Sequence, residues 1–417
     1  MIQVLGSSWA LFIGMFMLMI GNGLQGTLLG LRGEVEGFST IEMSVIMSAY
    51  FAGFLFASRY APRMIRRVGH VRVFAALGST ISAVLILYPT LAEPWAWTLG
   101  RVAIGFCFCG VYITAESWLN DAASNENRGK ALSLYMIVQM AGIVTAQYLV
   151  TLGDVSGFIL FIIPSVLVSM AFAPILLSVS PAPVFNTTKP LPIRRLIDAS
   201  PLACMGMFLL GGVFAAQFGM SAVYGTAAGL SLQQISMFVA AFYVGALVLQ
   251  YPLGFLSDRM DRRRLITIVA FLGGASAVFA VAFSANFVVL LVSAFLIGGM
   301  ANPLYSLLIA YTNDFLGHED MASASAGMLF INGLGAITGP LIIGWVMDTV
   351  GPQGFFILIA VLLLLLTAAC IVFMVIEARK HGVRFLWAYI VFAFAIAISV
   401  TFPLFLWARE RAMAKVT

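Results

Sequence analysis

The sequence predicts an all-α polytopic membrane protein, built from two six-helix halves with one further hydrophobic helix behind them. Three observations carry this. Of 417 residues, 62% are hydrophobic and 9% charged, with a mean hydropathy of +1.03; ordinary soluble domains carry roughly 25% charged residues. Twelve runs are long and apolar enough to span a bilayer core, which takes about 20 residues per helix. A polar stretch also recurs in weakened form at an offset of 192 residues.

The twelve runs lie near 8–31, 41–61, 72–92, 95–118, 129–151, 156–178, 201–226, 232–256, 265–284, 286–312, 321–347 and 353–376. The first is expected to be a retained helix, because Met1–Gln3 has no basic start and no small-residue cleavage site follows. The break at 179–200 holds Pro181, Pro183, Pro190 and Pro192 and reads as a linker between halves 1–178 and 201–376. The tail 377–417 carries the thirteenth run, Phe385 to Trp407, which is uncharged and expected to cross because it shows no polar face.

Positive charge alternates between the two sides of this bundle. Arg63, Arg66, Arg67 and Arg72 lie between helices two and three, and Arg128 and Lys130 between four and five. Lys189, Arg194 and Arg195 lie between six and seven, and Arg259, Arg262, Arg263 and Arg264 between eight and nine. The positive-inside rule puts these loops and the N-terminus in the cytoplasm of a cell whose inner membrane holds the protein. Arg32 is the exception on the other side. The +5 net charge is split among separate short loops, which argues against a nucleic-acid partner.

Gly254, Asp258, Arg259, Arg262 and Arg263, with Asp261 where a second glycine is usual, resemble the signature loop of the major facilitator superfamily. The earlier copy keeps Arg67, Gly69 and Arg72, with Arg66 in place of the acid. Arg101-x-x-x-Gly105 and Asn127-Arg128-Gly129 are similar to superfamily motifs too. The segments Gly100 to Ser117, Tyr135-Met136 and Gln147 resemble the YcaD-like branch. The resemblance covers about 8–376 and implies the major facilitator fold, alternating access and a midplane solute site between the halves. It implies a small-molecule transporter rather than an enzyme, in a lipid environment, without cofactor, as a monomer. No nucleotide loop, nucleophile elbow or metal cluster suggests otherwise.

Several residues are candidates for that work. Arg101 is a charge inside an apolar helix, so it should face the bundle interior and be paired, to hold an anionic group or bias a nearby acid; snorkelling outward is the alternative. Glu116 is a candidate for proton coupling or for pairing with Arg128, Arg66 or Arg67. Asn22, Gln25, Gln139, Gln217, Tyr224, Tyr243, Asn302, Tyr305 and Asn332 are polar groups within apolar runs, suited to binding solute or to holding helices together. Gly69 belongs to the loop pattern that, with Arg67, Arg72, Arg128, Gly254, Asp258, Arg259 and Arg262, is expected to latch the cytoplasmic face. Small residues at Gly333, Gly335, Gly339 and Gly344 read as packing, with a hinge at Pro340.

Other patterns point away from chemistry. The histidines His70, His318 and His381 fall in polar connecting segments, and Cys107, Cys109, Cys204 and Cys370 read as small buried residues. The 21 methionines lack histidine or cysteine at ligand spacing, so no metal is expected. The fifth helix lacks the Gly-Pro pair of the antiporter branches, which weighs against multidrug efflux. Proton-coupled transport of a small organic solute is the leading expectation, with a passive facilitator or an efflux antiporter as alternatives.

Overall fold

In the computed structural model the described residues are 2–122, 128–177, 192–317 and 320–380. The expected thirteenth helix lies outside them, as do His318 and His381. The first six crossings are α1 (Ile2–Val35), α2 (Thr40–Val68), α3 (His70–Thr90), α4 (Pro94–Ala122), α5 (Arg128–Val150) and α6 (Ile159–Leu177). A short helix α7 (Ile193–Ala199) precedes α8 (Pro201–Ala215) and α9 (Ser221–Ala227). The chain continues through α10 (Leu232–Ser257), α11 (Arg262–Ala282), α12 (Phe287–Asn313), α13 (Met321–Val350) and α14 (Gly354–Lys380). Among the described residues 11 helices are long and apolar enough to cross a membrane, with α8 and α9 taken as one; the shorter apolar helix at Ile159–Pro174 fills the sixth place. No strand occurs among the described residues.

Packing repeats between the two sets of six. Helix α1 lies on α5, α2 on α4 and α3 on α6; correspondingly α8 lies on α13, α10 on α12 and α11 on α14. Lipid tails give no hydrophobic drive between helices, so close contact through small residues must hold them. A Cβ on Gly53 or Gly105 would fall on the backbone carbonyls of Val102 and Tyr50, and one on Gly245 or Gly298 on those of Phe295 and Phe242. Gly245 follows Gly53 by 192 residues and Gly298 follows Gly105 by 193.

Local signals repeat with the same offset. Ser39 and Glu42 form a capping box that starts α2, and Ser231 and Gln234 form one that starts α10. Gly37 and Gly229, just before them, take positive φ values of 77° and 71°, which only glycine adopts readily. The signature position without its second glycine is accounted for as well. Asp261 caps α11 by accepting the Arg264 N–H at 3.0 Å, whereas its counterpart Gly69 turns the chain at φ 87°.

Two features depart from the expected layout. The seventh crossing is not continuous, because a π-helical turn at Ala216–Met220 separates α8 from α9. His70 does not sit in a polar loop: it opens α3, is buried, and its Nε2 lies 3.0 Å from the Ser117 hydroxyl. The single residue Gly69 makes the whole α2–α3 turn and leaves no loop for the ring to occupy.

The two sets of six meet along α2–α13 and α5–α10, with α1 against α9. Along α2, Ser44 faces Gly344 and the Ser48 hydroxyl donates to the Ile337 carbonyl at 2.5 Å. Further along, Leu55 faces Gly333 and Arg59 lies over Phe330. These contacts span roughly 22 Å of helix at 1.5 Å per residue. Arg32, the exception to the charge pattern, is buried and donates from Nε to Glu36 at 2.6 Å and from Nη1 to the carbonyls of Val155 and Ser156. It pins the α5–α6 loop.

Candidate functional site

Three helices bring their polar residues to one place. On α1, Met19, Asn22 and Gln25 fall three residues apart and share a face. On α4, Arg101 and Tyr112 look toward that face, and α2 supplies Met47 and Tyr50. The close approach of α2 to α4 at Gly53 and Gly105 sets Tyr50 under the guanidinium, 4.7 Å from Cζ to ring centre. Arg101 is 2% exposed.

A directed chain of hydrogen bonds starts at that cation. Arg101 Nη1 donates to Gln25 Oε1 at 2.8 Å, and Gln25 Nε2 donates to Asn22 Oδ1 at 3.1 Å. Asn22 Nδ2 then donates to the Tyr112 hydroxyl at 3.0 Å, which donates to Met19 Sδ at 3.4 Å. Arg101 Nη2 meets Met47 Sδ at 3.5 Å. Among the described residues Arg101 has no carboxylate partner, and its Nε has no hydrogen-bond acceptor. Asn22, Tyr50 and Tyr112 are half-buried, so the far end of the chain has free surface while the cation does not.

Aromatic rings surround this end from both sets of helices. Tyr50, Phe51, Phe54, Phe108 and Tyr112 stand in mutual contact at 5.3–6.3 Å between ring centres. Phe214, Phe218, Tyr243 and Tyr305 do the same at 5.5–6.2 Å. The π-helical turn joins the two groups, since Gly219 faces Met47 and Phe51. Tyr243 lies within electrostatic range of Tyr50 and Tyr112.

The sequence profile of the Major Facilitator Superfamily matches residues 11–226 and again 202–411. The chain belongs to that superfamily. It is a solute transporter of the membrane. An uncharacterized transporter of the superfamily, YfkF of Bacillus subtilis, is 27% identical over 369 residues, covering 86% of this chain and 93% of YfkF. The uncharacterized superfamily transporter YcaD of Salmonella typhimurium is 22% identical over 356 residues, covering 84% and 91%. The fold is similar to a mutant of the nucleoside transporter NupG, with a TM-score of 0.76 at 16% identity over 88% of this chain and 99% of that one. It is also similar to a bacterial homologue of the human lysosomal transporter Spinster in its inward-facing, occupied form, with a TM-score of 0.69 at 14% identity over 89% and 96%.

The remaining candidates divide by surroundings. Gln217 sits in the π-helical turn, is 0% exposed, and neither amide atom has a partner among the described residues. Glu116 is half-buried, within electrostatic range of Tyr135 and Tyr305, and follows one residue before Ser117 with its His70 contact. Tyr305 stands in the second aromatic group, and Gln139 is half-buried on α5. Asn302 bonds within its own helix to the Gly298 carbonyl at 3.0 Å. Asn332 ties α13 to α8 through the Met207 carbonyl at 3.0 Å. Tyr224 is packed against Phe238, Phe355 and Phe356, away from the Arg101 chain.

The superfamily loop residues pair within the second set of helices. Arg262 forms an ion pair with Asp314, and Arg263 Nη2 donates to the Tyr311 hydroxyl at 2.8 Å, both on the end of α12. Arg259 lies 3.9 Å over the Phe255 ring, and Asp258 is exposed without an ion pair among the described residues. A Cβ on Gly254 would meet nothing within 4 Å. Arg67 and Arg72 are exposed, and the Arg128 side chain lies outside the described residues. Arg195 reaches Asp320 at 2.7 Å and ties α7 to the start of α13.

Residue selection by sequence passed over Tyr50 and Tyr112. A usable signal for Tyr112 was present: Tyr305 follows it by 193 residues, the spacing that relates Gly105 to Gly298.

Proposed function

We propose that this chain is a secondary active transporter that carries a small organic solute across the inner membrane by alternating access, coupled to protons. One observation supports the reading most. A buried cation with no acid partner among the described residues feeds a hydrogen-bond chain whose free end lies among aromatic rings from both sets of helices. Solute sites in such transporters form near the midplane between repeats, often at a discontinuous helix, and π-turns recur at functional sites.

In this reading 1–178 and 201–376 are the two moving halves and 179–200 joins them. The basic loops and the N-terminus face the cytoplasm, and the protein works as a monomer in lipid. The signature loop steadies one face of the second half during the cycle. Protons are carried by Glu116, which is half-buried within electrostatic range of Tyr135 and Tyr305. Proteoliposomes under an imposed pH gradient test the coupling. Solute accumulation should follow the gradient and be lost in Glu116→Gln, while exchange at equal pH persists. Accumulation indifferent to the gradient would leave the passive facilitator, for which the lack of an acid beside Arg101 among the described residues speaks.

A further inference from the structure

We infer that the site selects organic acids: an oxygen anion is received by Asn22 and Tyr112 while a flat apolar body lies against the surrounding rings. This rests on the transporter reading and names its substrate class.

The polarity of the chain carries the inference. A guanidinium has donors only, so Gln25 must meet Arg101 with its carbonyl. Its amide N–H then faces Asn22, which must answer with its own carbonyl, leaving its N–H groups pointing onward. Amide orientation is often a matter of assignment, but here the cation dictates each step. The chain therefore ends in donors, and a solute that fits must bring an acceptor. The last proton, on Tyr112, rests on the Met19 sulfur at 3.4 Å. A thioether is a weak acceptor, and a carboxylate oxygen displaces it because charge-assisted hydrogen bonds are about twice as strong as neutral ones.

Charge balance points the same way. Arg101 is 2% exposed with no carboxylate partner among the described residues. In a medium of low effective dielectric its field reaches the free end of the chain with little screening. An anion there completes the charge, and a cation is repelled. The rings of Tyr50, Phe54, Phe218 and Tyr243 offer stacking faces to the rest of the solute.

Three probes with one ring separate the possibilities: phenylacetate, phenylacetamide and phenethylamine, with uridine as a neutral nucleoside. Binding to the purified full-length protein is read from its melting temperature and by isotherm, and flux from proteoliposomes. Phenylacetate should bind about tenfold or more tighter than its amide, the worth of one hydrogen bond to a charged group, and the amine should not bind. Tyr112→Phe and Asn22→Ala should each weaken the acid about tenfold. Met19→Leu, which keeps volume, should tighten it by about twofold or more by freeing the Tyr112 proton. An amine that binds as well as the acid, or acid binding indifferent to all three substitutions, overturns the inference. So does a folded sample that does not bind phenylacetate. Flux of uridine or phenethylamine that Tyr112→Phe abolishes would remove the acid selectivity and keep the transporter; absence of flux for all four probes would count against both.

Discussion

Arg59 on α2 places its guanidinium 4.7 Å from the ring centre of Phe330 on α13, a cation–π contact between the first six crossings and the last six. Such contacts contribute about 0.5–2 kcal/mol, a large share of the energy separating two conformers whose populations differ by a few kcal/mol. Arg59→Gln should loosen this junction and Arg59→Lys should retain most of it. The four described cysteines are buried, so a cysteine placed at Leu55 can be followed alone. Its labelling rate should rise about threefold to tenfold in Arg59→Gln, and an unchanged rate would remove Arg59 from control of the junction.

The paired glycines give a prediction with an internal control. Gly105→Ala or Gly298→Ala would push a methyl onto a backbone carbonyl of the facing helix, where no rotamer change relieves it. Each should cost about 2–3 kcal/mol in stability, and Gly105→Ala should also displace Tyr50 from Arg101. Gly254 belongs to the signature loop, yet its surroundings are open. Gly254→Ala should be neutral or stabilise by up to about 1 kcal/mol, as alanine favours the helix. Thermal melts in detergent check all three. A transport defect in well-folded Gly254→Ala would show that another state of the cycle crowds this position.

Gln217 is the repeat counterpart of Gln25, 192 residues on. Gln25 meets Arg101, but the residue that corresponds to Arg101 in the repeat, 193 positions on, is Ala294. An unpaired buried amide costs about 1–3 kcal/mol. Gln217→Leu should therefore raise the melting temperature of the empty protein while lowering transport. A variant that is neither more stable nor less active would mean that the amide is satisfied in the resting protein.

The α5–α6 loop should respond to acid. The Ser156 hydroxyl and backbone N–H both donate to Asp154, holding its carboxyl below the usual carboxylate range. A depressed folded pKa contributes stability above the unfolded value and loses it as pH falls through the folded one. Exchange protection at Ser156 and Gly157 should thus persist to below about pH 4 and then fade. Asp154→Asn should remove that pH dependence.

The twelve crossings were legible because the bilayer demands long apolar runs, and Arg101 was legible because a charge in such a run stands out. Its partners were harder. Gln25 and Asn22 drew notice as polar groups, but their connection depends on a three-residue spacing that only meets Arg101 once α1 packs beside α4. Tyr50 and Tyr112 escaped notice because a tyrosine within an apolar helix reads as hydrophobic, and its hydroxyl matters only through what it meets. The π-helical turn left no composition signal, since Ala216 and Met220 suit a regular helix equally well. His70 was misplaced for a geometric reason: a one-residue turn looks like a loop when only polarity is counted.

The hydrogen-bond chain has a further consequence in its wiring. Its two middle links are amides, which transmit polarisation but do not take up and release protons as water or carboxylates do, and arginine stays protonated throughout. Arg101 can therefore bias the solute pocket electrically without opening a proton leak through it. Under the proton-coupled reading proposed above, the solute and the driving ion travel on separate circuits, the second running by way of Glu116, so a change that blocks one need not short the other.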